Sequence, residues 1–270
     1  MLTKLSKLLR PNSVAIIGAS PDKKKVGYAA LKNMIDCGFK GKLYAVNPKA
    51  DQYNGQIEGI ACYKTVSDIP EVVDLAVICV PAKFVPQLIE EIGEKGIPYT
   101  AIITAGFKET GKQGAELEQK IEEIARKHSV RIVGPNILGI IDTHTPMNAS
   151  FAEQTPIKGE IAFLSQSGAL LTGILDWSRS EGIGFSSFVS LGNKADLDET
   201  DFIEALADDD KTTAILAYLE SINRGEEFVK VCNKVTKKKP VIVVKSGRSE
   251  AGSRAASSHT GSMTGADTTY

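Results

Sequence analysis

The 270-residue sequence holds three histidines, four cysteines and one tryptophan, and its formal net charge is only −1. Each scarcity excludes something. Balanced charge argues against a nucleic-acid-binding surface, which normally shows clustered Lys and Arg in excess, but leaves a local pocket for a small anion open. Cys37, Cys62, Cys79 and Cys232 form no CxxC pair and have no histidine at metal-ligand spacing. They read as reduced, structural thiols, and no metal site is expected. No apolar run approaches the ~20 residues of a membrane span. The Lys-rich, amphipathic start, Met1 to Arg10, lacks both the apolar stretch and the small-residue cleavage site of a secretory signal. A cytoplasmic protein is expected.

What is present is ordinary soluble composition, 42% hydrophobic and 24% charged, in a chain long enough for two compact domains. Short β-rich apolar runs cover Ser13 to Ile17, Lys42 to Val46, Asp74 to Val80, Thr100 to Thr104 and Val130 to Val133. Between them, apolar residues recur at helical spacing, as in Val85, Leu88, Ile89 and Ile92, or Leu117, Ile121 and Ile124. Strands alternating with helices predict parallel pairing with right-handed crossovers, so residues 1–147 read as a Rossmann-like domain. The pattern restarts with strands at Glu160 to Leu164, Ser186 to Ser190, Ala214 to Leu219 and Val241 to Val244. Helices are predicted at Gly168 to Arg179, Glu199 to Ala207 and Glu226 to Thr236. Residues 148–270 thus read as a second, smaller α/β domain, with 148–159 as the linker.

The first strand runs into Gly18-Ala19-Ser20-Pro21-Asp22-Lys23-Lys24-Lys25-Val26-Gly27 and a helix, a turn whose free amides suit phosphate. The spacing is not GxGxxG, and the second strand ends in Asn47-Pro48-Lys49 instead of an acidic residue. Both features argue against a nicotinamide nucleotide and for a ligand richer in phosphate. Val80-Pro81-Ala82, Thr104-Ala105-Gly106 and Gly134-Pro135-Asn136 punctuate other strand ends, which in a parallel sheet line one crevice. In the second half, Ser165-Gln166-Ser167-Gly168 opens a helix and reads either as a phosphate cradle or as a plain N-cap. Glu220 ends a strand. His259, in Ala255-Ala256-Ser257-Ser258-His259-Thr260-Gly261-Ser262, is either an exposed loop residue or a nucleophile that a neighbouring carboxylate could orient.

The runs IIGAS, VNPK, VPAKF, ITAGFKETG, GPN, FLSQSGAL and SSHTGS occur in one order along nearly the whole chain. In this the chain resembles the α subunit of the ADP-forming acyl-CoA synthetases, in the succinyl-CoA synthetase superfamily, and above all the ADP-forming acetate–CoA ligases. The resemblance implies a Rossmann-like CoA-binding domain followed by a flavodoxin-like domain. It implies that coenzyme A lies along Gly18, Ala19, Ser20, Lys25, Gly27, Asn47, Lys49, Val80, Pro81, Phe84, Thr104, Ala105, Gly106 and Asn136. Phosphate would sit at Ser165, Gln166, Ser167 and Gly168, and His259 would be phosphorylated with Glu220 as its carboxylate partner. The family continues beyond the position of Tyr270, and nothing in this sequence resembles an ATP-grasp site. A fragment or subunit is therefore expected, acting on an acyl-CoA or carboxylic acid in a hetero-oligomer whose β subunit or fused domain carries ADP or ATP with Mg²⁺. The alternative readings are a non-catalytic CoA-binding sensor or scaffold, and part of a protein acyltransferase.

Overall fold

A computed structural model describes residues 5–247. A single helical turn, α1 (Ser6–Leu9), precedes a sheet built from β1 (Ser13–Ile17), β2 (Lys42–Val46), β3 (Gln56–Ile57), β4 (Ile60–Tyr63), β5 (Leu75–Ile78), β6 (Tyr99–Ile102) and β7 (Arg131–Val133). Their order is β3-β4-β2-β1-β5-β6-β7, parallel apart from the β3–β4 hairpin at one edge. Helices α2 (Val26–Asp36), α3 (Val85–Lys95) and α4 (Lys112–His128) make crossovers. In α3 the buried Val85, Ile89 and Ile92 recur at helical spacing, Pro86 sits in the first turn and Gly96 ends the helix at φ 79°. Each is a standard helix signal.

A second sheet contains β8 (Gly139–Asp142), β9 (Met147–Ser150), β10 (Lys158–Ser165), β11 (Phe185–Ser190), β12 (Ala214–Leu219) and β13 (Val241–Lys245), ordered β13-β12-β10-β11-β8-β9. Helices α5 (Gly168–Ser180), α6 (Glu199–Leu206) and α7 (Gly225–Val235) connect its parallel strands. Asp198 and Asp201 form a capping box at the start of α6.

Three features differ from the sequence expectation. The β3–β4 hairpin is additional. Strand β8 pairs antiparallel with β11 and β9 antiparallel with β8, so sheet membership changes between β7 and β8, ahead of residue 147. The expected linker begins as buried structure, since Asn148 and Ser150 are 1% and 0% exposed. The Met-Asn-Ala-Ser sequence of β9 carries little strand propensity, and its pairing is supplied by tertiary contact. Asn33 of α2 donates to the carbonyls of Ser150 and Ala152, closing the first sheet's helix onto this hairpin. One apolar core accordingly runs through both sheets, from Val14, Ile16 and Val77 to Ile140, Leu164 and Val189.

Candidate functional site

In open parallel sheets a crevice opens at the strand C-termini where the order reverses. The first sheet reverses between β1 and β5, and a cavity of about 530 Å³ lies there. Gly18, Ser20, Lys25, Asn47, Val80, Pro81 and Phe84 line it, all expected from sequence. Gly18 stands at φ 90°, and a Cβ there would lie 2.8 Å from the Cys79 carbonyl oxygen. A Cβ on Gly27 would fall 2.0 Å from the Gly18 carbonyl oxygen. Helix α2 therefore starts hard against the end of β1, leaving a backbone-walled turn at a helix N-terminus, the kind of geometry that suits an anion. Ala19 is fully buried, and Ala19, Gly27 and Lys49 are not wall residues. Asn47 braces the turn, donating to the Ala19 carbonyl at 2.7 Å and accepting from the Lys49 amide at 2.9 Å.

The same cavity is walled by Lys64, Thr65, Gln87, Leu88 and Glu91, which the sequence reading missed. Lys64 and Thr65 follow β4, a strand whose short Ile-Ala-Cys-Tyr run gave no usable alternation. Gln87, Leu88 and Glu91 sit on α3, where an apolar period marks the buried face but not the face turned to a ligand.

The second sheet reverses between β10 and β12, whose C-terminal ends carry Ser165 to Gly168 and Glu220. A larger cavity, about 760 Å³, reaches from this edge to the first sheet. Val80, Thr104, Ala105, Asn136, Gln166, Ser167 and Gly168 line it, and Cys79 and Val80 line both cavities. The strand end of β5 is thus the threshold between them. Burial pushes the Cys79 thiol up to about 12, so it stands there as an uncharged, inert group.

At the start of α5, Ser167 Oγ accepts from the Leu170 amide, and Ser165 Oγ accepts from the Ser167 amide and donates to the Ser167 carbonyl. Gly168 and Ala169, as the first helical residues, have amides without an intrahelical acceptor. Both line the cavity. Gln166 lines the cavity and is also tied into the neighbouring strand end. Its amide donates to the Tyr218 carbonyl, its Oε1 accepts from the amides of Glu220 at 2.9 Å and Ser221 at 3.1 Å, and its Nε2 donates to Ser221 Oγ.

The peptide groups around Glu220 are held from other directions as well. Lys194 Nζ donates to the Ser221 carbonyl at 2.7 Å and pairs with Glu199 at 3.0 Å, while Lys245 Nζ donates to the Glu220 carbonyl at 2.9 Å. Lys194 is 5% exposed and has a left-handed backbone at φ 57°. Burial raises the Glu199 pKa, although Lys194 pulls it the other way. Among the described residues, Glu220 Oε2 is buried with no hydrogen-bond partner. An unpaired buried carboxylate oxygen is costly, so a donor belongs beside it. His259 lies outside the described residues.

Gly106 does not line either cavity. Its amide, with that of Phe107, donates to Glu109 Oε1, and Asn193 Nδ2 donates to Glu109 Oε2 at 2.6 Å. Burial alone would raise the Glu109 pKa, but these hydrogen bonds, Asn193 first, hold it below the ordinary carboxylate value.

A family model described as a CoA binding domain matches residues 12–143, and one described as a succinyl-CoA ligase like flavodoxin domain matches 158–270. The chain is 48% identical to the α subunit of acetate–CoA ligase [ADP-forming] I from Pyrococcus furiosus over 98% of its own length and 58% of that protein's. The chain belongs to the α-subunit family of the ADP-forming acyl-CoA synthetases. It is also 50% identical to acetate–CoA ligase [ADP-forming] I from Archaeoglobus fulgidus, over 98% of this chain and 38% of that one. Among solved structures, the dinucleotide-forming acetyl-coenzyme A synthetase 1 of Ca. Korarchaeum cryptofilum, in complex with phosphate and ADP, superposes with a TM-score of 0.93 at 43% identity. That match covers 98% of this α-type chain and 56% of the other. The α-type chain spans between about two-fifths and three-fifths of the length of these relatives. Among its described residues no helix is long and apolar enough to cross a membrane, and no cluster of three metal-ligating side chains occurs.

Proposed function

We propose that the chain is the CoA-binding, phosphohistidine-carrying part of an ADP-forming acyl-CoA ligase. The overall reaction is acyl-CoA + ADP + phosphate = carboxylic acid + CoA + ATP. The observation that carries this reading is the continuity of the two cavities across Cys79 and Val80. A phosphorylated, extended thiol held at the β1–α2 turn would reach over that threshold and bring its thioester to the start of α5.

The chemistry follows from the groups at that edge. Phosphate held by the Gly168 and Ala169 amides attacks the thioester carbonyl, and the CoA thiolate leaves. The positive end of α5 favours the multiply charged phosphate and the oxyanion that develops. The acyl phosphate then gives its phosphoryl group to a nitrogen of His259 and departs as carboxylate. Glu220, with its unpaired oxygen, supports the other nitrogen and the positive charge that the ring acquires. Transfer to ADP, with Mg²⁺, would take place on an ATP-grasp partner or fused domain. Dividing one exchange into three keeps the thioester's energy in successive phosphoryl bonds. The first and the second sheet, each with its helices, act in this reading as CoA-binding and phosphoryl-carrying units of one cytoplasmic hetero-oligomer.

The test combines the chain with its nucleotide-binding partner, Mg²⁺ and γ-labelled ATP. Acid-labile, alkali-stable label is expected on the wild-type chain and none on His259→Asn. Retention of such label by the variant overturns His259 as carrier. Tight CoA binding with no label in the wild type would favour a non-catalytic CoA-binding module.

A further inference from the structure

The larger cavity has one charged lining residue among the described residues, Glu109. Apolar side chains, Val26, Leu138 and Phe151 among them, form much of the remaining wall. The cation nearest in the hydrogen-bond network does not neutralise Glu109. Lys108 Nζ pairs instead with Glu118 Oε1 at 2.8 Å and donates to the Asn193 carbonyl. Asn193 Nδ2 joins the two carboxylates, at 2.6 Å to Glu109 and 2.8 Å to Glu118. The two carboxylates thus share the Asn193 amide, while the Lys108 ammonium pairs with Glu118 alone. The surplus negative charge is Glu109, half-buried at the cavity wall and fixed there by the Gly106 and Phe107 amides.

We infer that Glu109 is a charge filter: it selects acyl-CoA thioesters whose acyl group is uncharged and disfavours those carrying a second carboxylate. The inference rests on the proposal that this cavity receives the thioester end of CoA. A terminal carboxylate entering the cavity leaves water and meets a fixed like charge, with no cation among the described lining residues to offset it. At separations of several ångströms, such repulsion lowers affinity about 10-fold. An acyl chain of the same length ending in a methyl group meets only the apolar wall.

The experiment is calorimetric titration of the purified chain with CoA, butyryl-CoA and succinyl-CoA at low and high salt. Wild type is expected to prefer butyryl-CoA about 10-fold at low ionic strength, with the ratio shrinking as salt screens the repulsion. In Glu109→Gln the ratio falls to about 2 and no longer depends on salt. A purely structural role for Glu109 would weaken both thioesters together and leave the salt response unchanged. Thr172→Lys, which adds a cation to the same cavity, is expected to tighten succinyl-CoA selectively and serves if Glu109→Gln does not fold. The inference is overturned if CoA binds and the ratio is the same in wild type and Glu109→Gln, or if Thr172→Lys does not favour succinyl-CoA. Failure of free CoA to bind at all overturns the underlying CoA reading and takes the charge filter with it.

Discussion

Gln166 lines the larger cavity and also braces the strand ends beside it. Its amide group occupies two backbone donors, at Glu220 and Ser221, that would otherwise be buried and unpaired. Gln166→Leu is expected to lower stability by about 1–3 kcal/mol in urea unfolding, the usual cost of leaving buried polar groups unsatisfied. Glu220 is a different case, because one of its carboxylate oxygens has no hydrogen-bond partner among the described residues, and its proposed role is chemical. Glu220→Gln should reduce the rate of label incorporation about 100-fold, the scale of losing a positioned acid–base partner, with the CoA dissociation constant unchanged by calorimetry. The strand-end position of Glu220 was legible in the sequence. The use of Gln166 was not, because its partners lie 54 and 55 residues away.

At the scale of elements, the junction of β1 and α2 is the most constrained. The Gly27 Cα faces the Gly18 carbonyl so closely that any Cβ overlaps backbone, which cannot rotate away as a side chain would. Gly27→Ala is expected to push α2 off the sheet, costing about 3 kcal/mol in thermal or urea unfolding. It should also weaken CoA, because the helix N-terminus moves with it. The pattern Gly18 to Gly27 was readable as a turn of unusual length; the sequence did not show how tightly its second glycine packs against the Gly18 carbonyl. Likewise, the apolar period of α3 identified its core face, whereas Gln87 and Glu91 became visible as cavity wall only when the helix was set beside the segment that follows β4.

For the whole molecule, Arg10 is the clearest link between the two sheets. It donates to Asp142 at the end of β8 and, through two nitrogens, to Asp209 after α6. Both carboxylates are about 2% exposed. Arg10→Met leaves them buried without their cation and is expected to cost about 3–5 kcal/mol near neutral pH. Burial works to raise the Asp209 pKa, but Thr212 and Arg10 bring it below the ordinary value. A depressed folded-state pKa gives stability that is present above the unfolded aspartate value, about 4, and is lost as pH falls through the lower folded value. The difference between wild type and Arg10→Met should therefore narrow in urea titrations below about pH 4. An unchanged gap there would mean that the charge of Asp209 is not what Arg10 stabilises.

By itself, the sequence determined the alternation of strands and helices, the glycine-bounded turn after β1, the second helix start and the carboxylate at the end of β12. Those signals are local, each carried by periodicity or by a few adjacent residues whose backbone geometry is dictated by glycine, serine or proline. Only the tertiary structure decided that β8 and β9 join the second sheet, that one core runs through both sheets, and that two cavities meet at Cys79 and Val80. The physical reason is that strand partners and cavity walls depend on which distant surfaces exclude water together, and the hydrophobic effect is blind to sequence separation.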